Sequence, residues 1–581
     1  MNRPRLSMLA TLLLLVFQTV GRADELTDKV DKLFIHWDKP TTPGCAIGIV
    51  RDGKLIYEKA YGMADLEQGS RIGSETVFHI ASISKQFTAF AILLLEKDGK
   101  LSLDDDIRKH LPEMHDFGKP ITIRHLLLHT SGLRDQWSLL TLAGWRMDDV
   151  ITDDDIFRLA CRQRDLNFTP GDRFLYSNMG YTLAAMIVER VSGQPFRAFT
   201  RKHIFEPLGM THTRFPTNHE EIIRGRARSY NPIGAGKYRN AVLSFSNAGA
   251  TSLLTTVADL AKWDNNFYEP RVGDTKLIAR FQEVGKLNNK KAISYALGLD
   301  IGTYRGLKTV EHGGSDAGFR CTLLRFPTER FSVIILANTS DNSPGELARQ
   351  VADLYLNDNL KPVPAKPPTA EKKEVSIDPK LLNAYAGEYQ LMPDRTCTVT
   401  KEGSRLTSFV TGFPKRDLVP ASDREFFVRG ENFGIVFDKP VEGRSPALTL
   451  QVGDRGMPAP RVTRVVLTAK RAEEYVGEFH SGELGVIYSI SRHDSKLKIR
   501  HPRGEIELKP TAADVFLARN PLGKVTMSRD KGGRITGFTI DGDRVMNVRF
   551  DRVQIKPTSN VMAPSFGIRH EAHYPTKIPP E

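Results

Sequence analysis

Ser82-Ile83-Ser84-Lys85 sets a hydroxyl and a primary amine three residues apart inside the run 78–96, which is otherwise almost wholly apolar. If that run is helical, positions i and i+3 share a face, and the Lys85 amine reaches the Ser82 hydroxyl. A serine hydroxyl attacks only when a base takes its proton, and a lysine serves as that base only where burial or neighbouring cations depress its ordinary pKa of about 10.4. An apolar helix offers such burial, and its N-terminal dipole favours negative charge developing there. Taken alone, S-x-x-K reads equally well as a capping serine followed by a surface lysine, so the remaining machinery has to be found elsewhere in the chain.

Two later motifs supply it. Tyr176-Ser177-Asn178 follows a Pro170-Gly171 turn. Tyr176 would pass a proton between Ser82, Lys85 and a leaving group, and Asn178 would hold either the substrate amide or Lys85 by hydrogen bonds. His312-Gly313-Gly314-Ser315 stands at the end of a strand-like run. His312 is expected to present a cationic or donor group to substrate, and Gly313 and Gly314 to let an acyl group lie close to the backbone. The N–H groups of Ser82 and Ser315 would form the oxyanion hole. Singly, Tyr176 is a half-buried core tyrosine, Asn178 a turn former, His312 a polar strand end and Ser315 a turn cap. In this order and combination they amount to the nucleophile, base, proton carrier and oxyanion donors that acyl transfer needs. His125 and His129 are four residues apart, yet no Glu follows His125 as in a zinc helix, so both are read as structural and no metal or cofactor is expected.

Periodicity predicts the elements that must position these groups. Leu26, Val30, Leu33, Phe34 and Trp37 recur at helical spacing. Two apolar strands, 44–50 and 55–60, flank the hairpin signal Asp52-Gly53. The helix bearing Ser82 is expected to stop near Gly99, and 121–133 reads as an apolar helix ending in a polar turn. Another helix runs over 180–193, and a capping box at Thr256 and Asp259 opens one through Trp263. Strand candidates lie at 309–318, 319–326 and 331–337, followed by a last helix from Ser343-Pro344 with Leu347, Val351 and Leu354 on one face. The fold class is therefore an α/β (α+β) catalytic domain, an antiparallel sheet packed by helices, over residues 24–360.

A proline- and charge-rich linker follows at 361–379, and beyond it the pattern changes to short strands. An internal repeat runs through them. Tyr385-Ala-Gly-Glu-Tyr389 returns as Tyr475-Val-Gly-Glu-Phe479, and Phe426-Phe-Val-Arg429 returns at the same offset as Phe516-Leu-Ala-Arg519. Each copy holds about eight strand candidates, the count of a small antiparallel β-barrel, so 380–470 and 471–556 are read as two barrels and 557–581 as an extended tail.

The whole chain, 581 residues with 40% hydrophobic and 26% charged, is too long for one core and globular in composition. Arg3 and Arg5, an apolar run, and small residues at Gly21 and Ala23 make residues 1–23 a secretory signal peptide, so the mature protein is expected to be exported, periplasmic or extracellular, with no transmembrane segment. The net charge of +13 would suit an acidic partner, but export and the lack of a basic, aromatic-interleaved block exclude nucleic acid and leave a diffuse solvated surface. Cys45, Cys161, Cys321 and Cys397 form no C-x-x-C pattern. They are read as unpaired core thiols, with a single disulfide left open.

The ordered set S-x-x-K, Y-x-N and H-x-G resembles the penicillin-recognising serine hydrolases, namely class C β-lactamases, DD-peptidases and related esterases and D-aminopeptidases. The likeness spans roughly residues 26–359 and includes the framing runs 121–133, 168–180 and 248–263. It implies Ser82, Lys85 and Tyr176 as catalytic residues and Asn178, His312, Gly314 and Ser315 as substrate-orienting ones. Class C β-lactamases carry a lysine where this chain has His312. The histidine is closer to the DD-carboxypeptidases and D-aminopeptidases, and directs the reading toward a peptidase or esterase. The linker and two barrels, lipocalin-like in size, resemble the D-aminopeptidases, in which a barrel loop limits substrate access; here the loop 529–534 is expected to take that part. The implied substrates are D-amino-acid-containing peptides, small esters or amides and β-lactams, with cell-wall peptide among the partners. The alternatives are a sensor that binds penicillin or wall fragments without turnover, and a weak β-lactamase. An α/β-hydrolase is set aside, since Gly313-Gly-Ser-Asp-Ala317 lacks the last glycine of G-x-S-x-G.

Overall fold

At Asp52-Gly53 both residues take positive φ, 50° and 74°, and fold the strand Cys45–Arg51 back onto Lys54–Tyr61, the geometry that the hairpin signal demands. In the computed structural model, which describes residues 25–362, 374–392, 395–410, 413–452, 455–462, 465–494 and 496–554, this hairpin forms one edge of a six-stranded antiparallel sheet. The spatial order is Asp300–Tyr304, Leu307–Asp316, Phe319–Phe326, Phe331–Ala337, Cys45–Arg51, Lys54–Tyr61. Ile47 lies opposite Ile335, so the first strand of the unit pairs with its last and the intervening chain is closed onto the sheet. The expected leader over 1–23, most of the linker and the tail from 557 lie outside the described residues.

The central strands are apolar on both faces because both are covered. Ala46, Val50, Ile334 and Leu336 pack under the helices Ser84–Lys97 and Val257–Asn265, while Ile47, Ile49, Val333 and Ile335 meet Leu347, Ala348 and Val351 of the helix Pro344–Tyr355. Gly48 sets the spacing on the first face, since a Cβ there would lie 2.3 Å from Val257 Cγ1. Ser84–Lys97 is apolar almost all round because it runs through the middle of the helical layer. Phe87 and Phe90 flank Trp263, with ring centroids at 4.6 and 5.0 Å, and Trp263 Nε1 donates to Gln86 Oε1 at 2.9 Å.

Two elements differ from the periodicity. Ser82 precedes the α-helix, in a 3-10 turn over Ala81–Ile83. The helix expected over 121–133 is reduced to Ile123–Leu127, capped by Thr122 with His125 in the box, because His129 turns to a φ of 56° and ends it. All four cysteines are free thiols, three of them buried, so the disulfide left open by the sequence is not formed. Among the described residues no helix is long and apolar enough to cross a membrane.

Both repeats form up-and-down antiparallel barrels. In the first, eight strands from Gly387–Met392 to Arg455–Pro460 follow one another, and the ends approach through the bridge Tyr389 to Arg461. In the second, from Gly477–Ser481 to Val548–Arg552, Phe479 pairs with Arg552 and the barrel is closed. The repeat anchors make the same contact in each copy. Tyr385 meets Phe426 edge to face at 5.8 Å and 80°, and Tyr475 meets Phe516 at 5.1 Å and 82°.

The barrels differ in attachment. The first keeps its own core, whereas the core of the second is continuous with that beneath Ser84–Lys97. Arg134, with no exposed surface, is the pin. Its guanidinium donates to Met546 O at 2.9 Å and Asn547 O at 3.1 Å and pairs with Glu483 at 3.1 Å. Tyr488 OH donates to Leu142 O at 2.6 Å, and Gly144 gives way to Pro502, whose Cβ would lie 2.5 Å from an added one.

Candidate active site

Ser82 is half-buried at the floor of a cavity of about 1010 Å³. Its neighbour Ala81 holds a φ of 48°, a conformation that costs a non-glycine residue energy and persists only where its surroundings impose it. Two contacts do so. Ser84 Oγ donates to Ala81 O and accepts from Leu253 N at 3.0 Å, and the strand Leu307–Asp316 lies directly on the turn at Gly314. A Cβ at Gly314 would stand 2.3 Å from Ile80 O and 3.3 Å from Ala81 Cβ. Gly314 thus gives its space to the turn that carries Ser82. Gly313, where an added Cβ would have only Cys321 O at 3.7 Å, faces the cavity.

Lys85 is wholly buried one helical position past Ser84. Its Nζ lies 3.0 Å from Ser82 Oγ, 2.8 Å from Asn178 Oδ1 and 2.7 Å from Ala250 O. Burial depresses its pKa to about 7; Asp316 and Asp135 hold it up against that trend and Arg544 pushes it further down. Once neutral, the amine keeps two hydrogens for Asn178 and Ala250 and points its lone pair at Ser82.

Asn178 opens the helix Asn178–Ser192, and its backbone N–H and Nδ2 both donate to Asp135 Oδ2, at 2.7 and 2.8 Å. That fixes the amide with Oδ1 toward Lys85, so of the two partners expected for Asn178 the geometry selects the lysine. Asp135 also caps the helix Gln136–Leu142 by accepting from Trp137 N at 3.0 Å.

The Tyr176 ring stands 5.0 Å from Lys85 Nζ on one side and 5.1 Å from the Arg544 guanidinium on another, and rests on His129 at 4.1 Å. Burial pushes its phenol above the ordinary range while the adjacent Ser82 hydroxyl pulls it back, so Tyr176 is a protonated donor at neutral pH. His129, read from sequence as structural, is buried with Nδ1 3.1 Å from both Ser177 N and Ser177 O, and burial keeps it neutral.

His312 departs from expectation. It is buried, its Nδ1 donates to Gly313 O at 2.7 Å, and Nε2 then accepts from Tyr295 OH at 2.9 Å. Burial and the Lys85 charge lower its pKa to about 4. The third motif therefore brings a neutral imidazole with both nitrogens engaged, in place of the cationic or donor group expected of it. Ser315 is exposed on the cavity wall.

The cavity thus brings together Ser82, Tyr176, Asn178, His312, Gly314 and Ser315 over the buried Lys85. The loop 529–534 takes no part in it. Its residues line a separate cavity with Glu474 and Arg552. The second barrel instead enters through Asn520, Pro521 and the segment Asp543-Arg544-Val545. Sequence reasoning missed Asp135, Tyr295 and Arg544. Asp135 carried a readable signal, an N-cap acid before a helix, whereas Tyr295 and Arg544 reach their partners only through tertiary contacts.

The chain is 29% identical over 402 residues to penicillin-binding protein 4* of Bacillus subtilis, covering 66% of this chain and 88% of that one. It is 26% identical over 337 residues to a D-aminopeptidase of Brucella anthropi, covering 58% and 62%. The octameric penicillin-binding protein homologue from Pyrococcus abyssi superposes with a TM-score of 0.53 at 23% identity over 84% of this chain and 99% of that one, which shows shared fold. The family profile described as Beta-lactamase matches residues 30–357, more than half the chain. The protein belongs to the penicillin-binding-protein/β-lactamase superfamily of serine hydrolases.

Proposed function

We propose that the enzyme works through an acyl-enzyme on Ser82 with Lys85 as base and Tyr176 as proton carrier. The observation that carries this reading is the placement of Lys85 Nζ, which has two fixed acceptors and a third direction open to Ser82 Oγ at 3.0 Å. As Ser82 Oγ bonds to the substrate carbonyl carbon, its proton passes to Lys85, and the carbonyl oxygen takes up negative charge facing the N–H groups of Ser82 and Ser315. Collapse breaks the bond to the leaving group, which receives a proton from the Tyr176 hydroxyl while the phenol recovers one from Lys85. Water then adds to the acyl carbon, losing a proton along the same path, and Ser82 departs with its proton restored. Tyr176 acts as phenol rather than phenolate, since burial disfavours its charged form.

The substrates on this reading are peptides, amides or small esters containing D-amino acids, acted on outside the cytoplasm. The neutral His312 and the D-aminopeptidase relative support a peptidase or esterase over a β-lactamase. The lipocalin-like reading of the barrels rests on their eight-stranded up-and-down order. The test is incubation with fluorescent penicillin and with D-alanyl p-nitroanilide, wild type beside Ser82→Ala. Turnover and labelling that vanish in the variant are expected. Stoichiometric labelling without release would replace the hydrolase with a sensor, and activity that survives Ser82→Ala would remove Ser82 from the mechanism.

A further inference from the structure

The three motifs present no free cation to the catalytic cavity. His312 is neutral, and Lys85 is buried with its hydrogens committed. Arg320 reaches the cavity wall, but its Nη1 is held by Ala317 O at 3.1 Å and Phe319 O at 2.7 Å. Arg544 is different. Its backbone is clamped: Arg544 O accepts from Asn167 Nδ2 at 3.0 Å and Asp135 N at 3.3 Å, Met546 N two residues on donates to Asn167 Oδ1 at 2.7 Å, and Gly542 N donates to Val545 O at 2.8 Å. Its guanidinium, by contrast, makes no hydrogen bond among the described residues. The charges nearest it are long contacts, Asp543 at 3.7 Å and Asp135 at 4.0 Å, and one face rests on Tyr176. With 37% of the side chain exposed, a planar five-donor fork is left facing the cavity.

The acids around the cavity do not fill this gap. Asp135 is taken by Asn178, Asp316 by His79 and Thr251, and Glu311 by Arg349. Asp300 stands across the strand pair from Glu311. Arg544 also packs on Tyr176, the group that would protonate the leaving group.

We propose that Arg544, delivered by the second barrel, is the specificity-determining anchor for a substrate carboxylate on the leaving-group side of the scissile bond. A guanidinium binds a carboxylate through two parallel N–H···O bonds, and the clamped loop sets that fork in place before substrate arrives. The inference rests on the reading of Ser82 as the nucleophile, and it makes the barrel part of the substrate site.

The experiment compares N-acetyl-D-alanyl thioglycolate, which carries a leaving-group carboxylate, with its uncharged methyl ester, following thiol release by wild type, Arg544→Gln and Arg544→Lys. The readout is the ratio of kcat/KM for acid over ester, which does not depend on how much of each preparation is folded or on the protonation of Lys85. Wild type should favour the acid, Arg544→Gln should lower the ratio by about 10- to 100-fold, as expected for one charge-assisted pair, and Arg544→Lys should fall between them. A ratio unchanged in Arg544→Gln, or a wild type without preference, overturns the proposal. If wild type turns over neither thioester, the acylation reading fails by itself, and calorimetric binding of the two compounds decides Arg544 separately. Preference for the acid that is lost in Arg544→Gln upholds the anchor, and equal binding overturns it.

Discussion

Lys85 is the residue on which the site's pH dependence turns. On the proposed mechanism its base form is required for attack, so kcat/KM for an uncharged ester is expected to rise with pH through an acid limb near the lysine's pKa of about 7 and level off above it. The positive Arg544 lowers that pKa, so removing its charge raises it. Arg544→Gln should therefore move the limb to higher pH, as read from kcat/KM of the methyl ester on either side of neutrality. A limb that stays in place would show that the guanidinium field does not reach Lys85. Lys85→Gln should lower kcat/KM by about 10²- to 10⁴-fold, the usual loss when a general base is removed. The motif Ser82 to Lys85 was legible because both groups lie within one helical turn. The neutrality of His312 was not, because the charge of an imidazole depends on burial and on what its two nitrogens meet, here Gly313 O and Tyr295 OH.

Among the elements, the strand Leu307–Asp316 and the turn Ala81–Ile83 depend on each other. The strand can lie against the turn only because residue 314 has no side chain, and the turn keeps Ala81 in its unusual backbone conformation under that contact. Gly314→Ala is expected to force the two apart at a cost of about 1 to 3 kcal/mol, lowering the melting temperature by several degrees and kcat along with it. Gly313→Ala, whose Cβ has room, should melt close to wild type in the same scan. Equal melting of both variants would refute the packing role. Most of these elements followed from periodicity and turn signals: the hairpin at Asp52-Gly53, the helix capped at Thr256 and the strands around His312. The segment 121–133 did not, because its apolar run continues past Leu127 while His129 leaves helical geometry to lie under Tyr176.

Across the whole molecule, the second barrel and the catalytic unit share one core, and Arg134 is the buried charge among their polar contacts. Arg134→Met would leave Glu483 buried without its partner and is expected to cost about 3 to 5 kcal/mol, the usual penalty of an unpaired buried charge. Arg134→Met combined with Glu483→Leu should recover most of that loss, measured by thermal unfolding in a double-mutant cycle. A double variant no more stable than the single one would show that Arg134 acts through its carbonyl contacts alone. Removing 380–581 is accordingly expected to expose Arg134 and alter the catalytic unit itself, beyond any change in substrate range.

The sequence by itself determined the three motifs that meet at the cavity, the mixed sheet-and-helix unit and the duplicated barrels, since each is written in neighbouring residues or in a repeated offset. Tertiary structure alone decided which barrel meets the active site and through which loop. Segments 529–534 and 542–545 are both short polar turns between strands, and nothing local separates them. The difference arises from the docking face, where Arg134, Asn167 and Leu142 bind backbone and side chains of the second barrel and so bring Arg544, rather than the loop 529–534, against Tyr176.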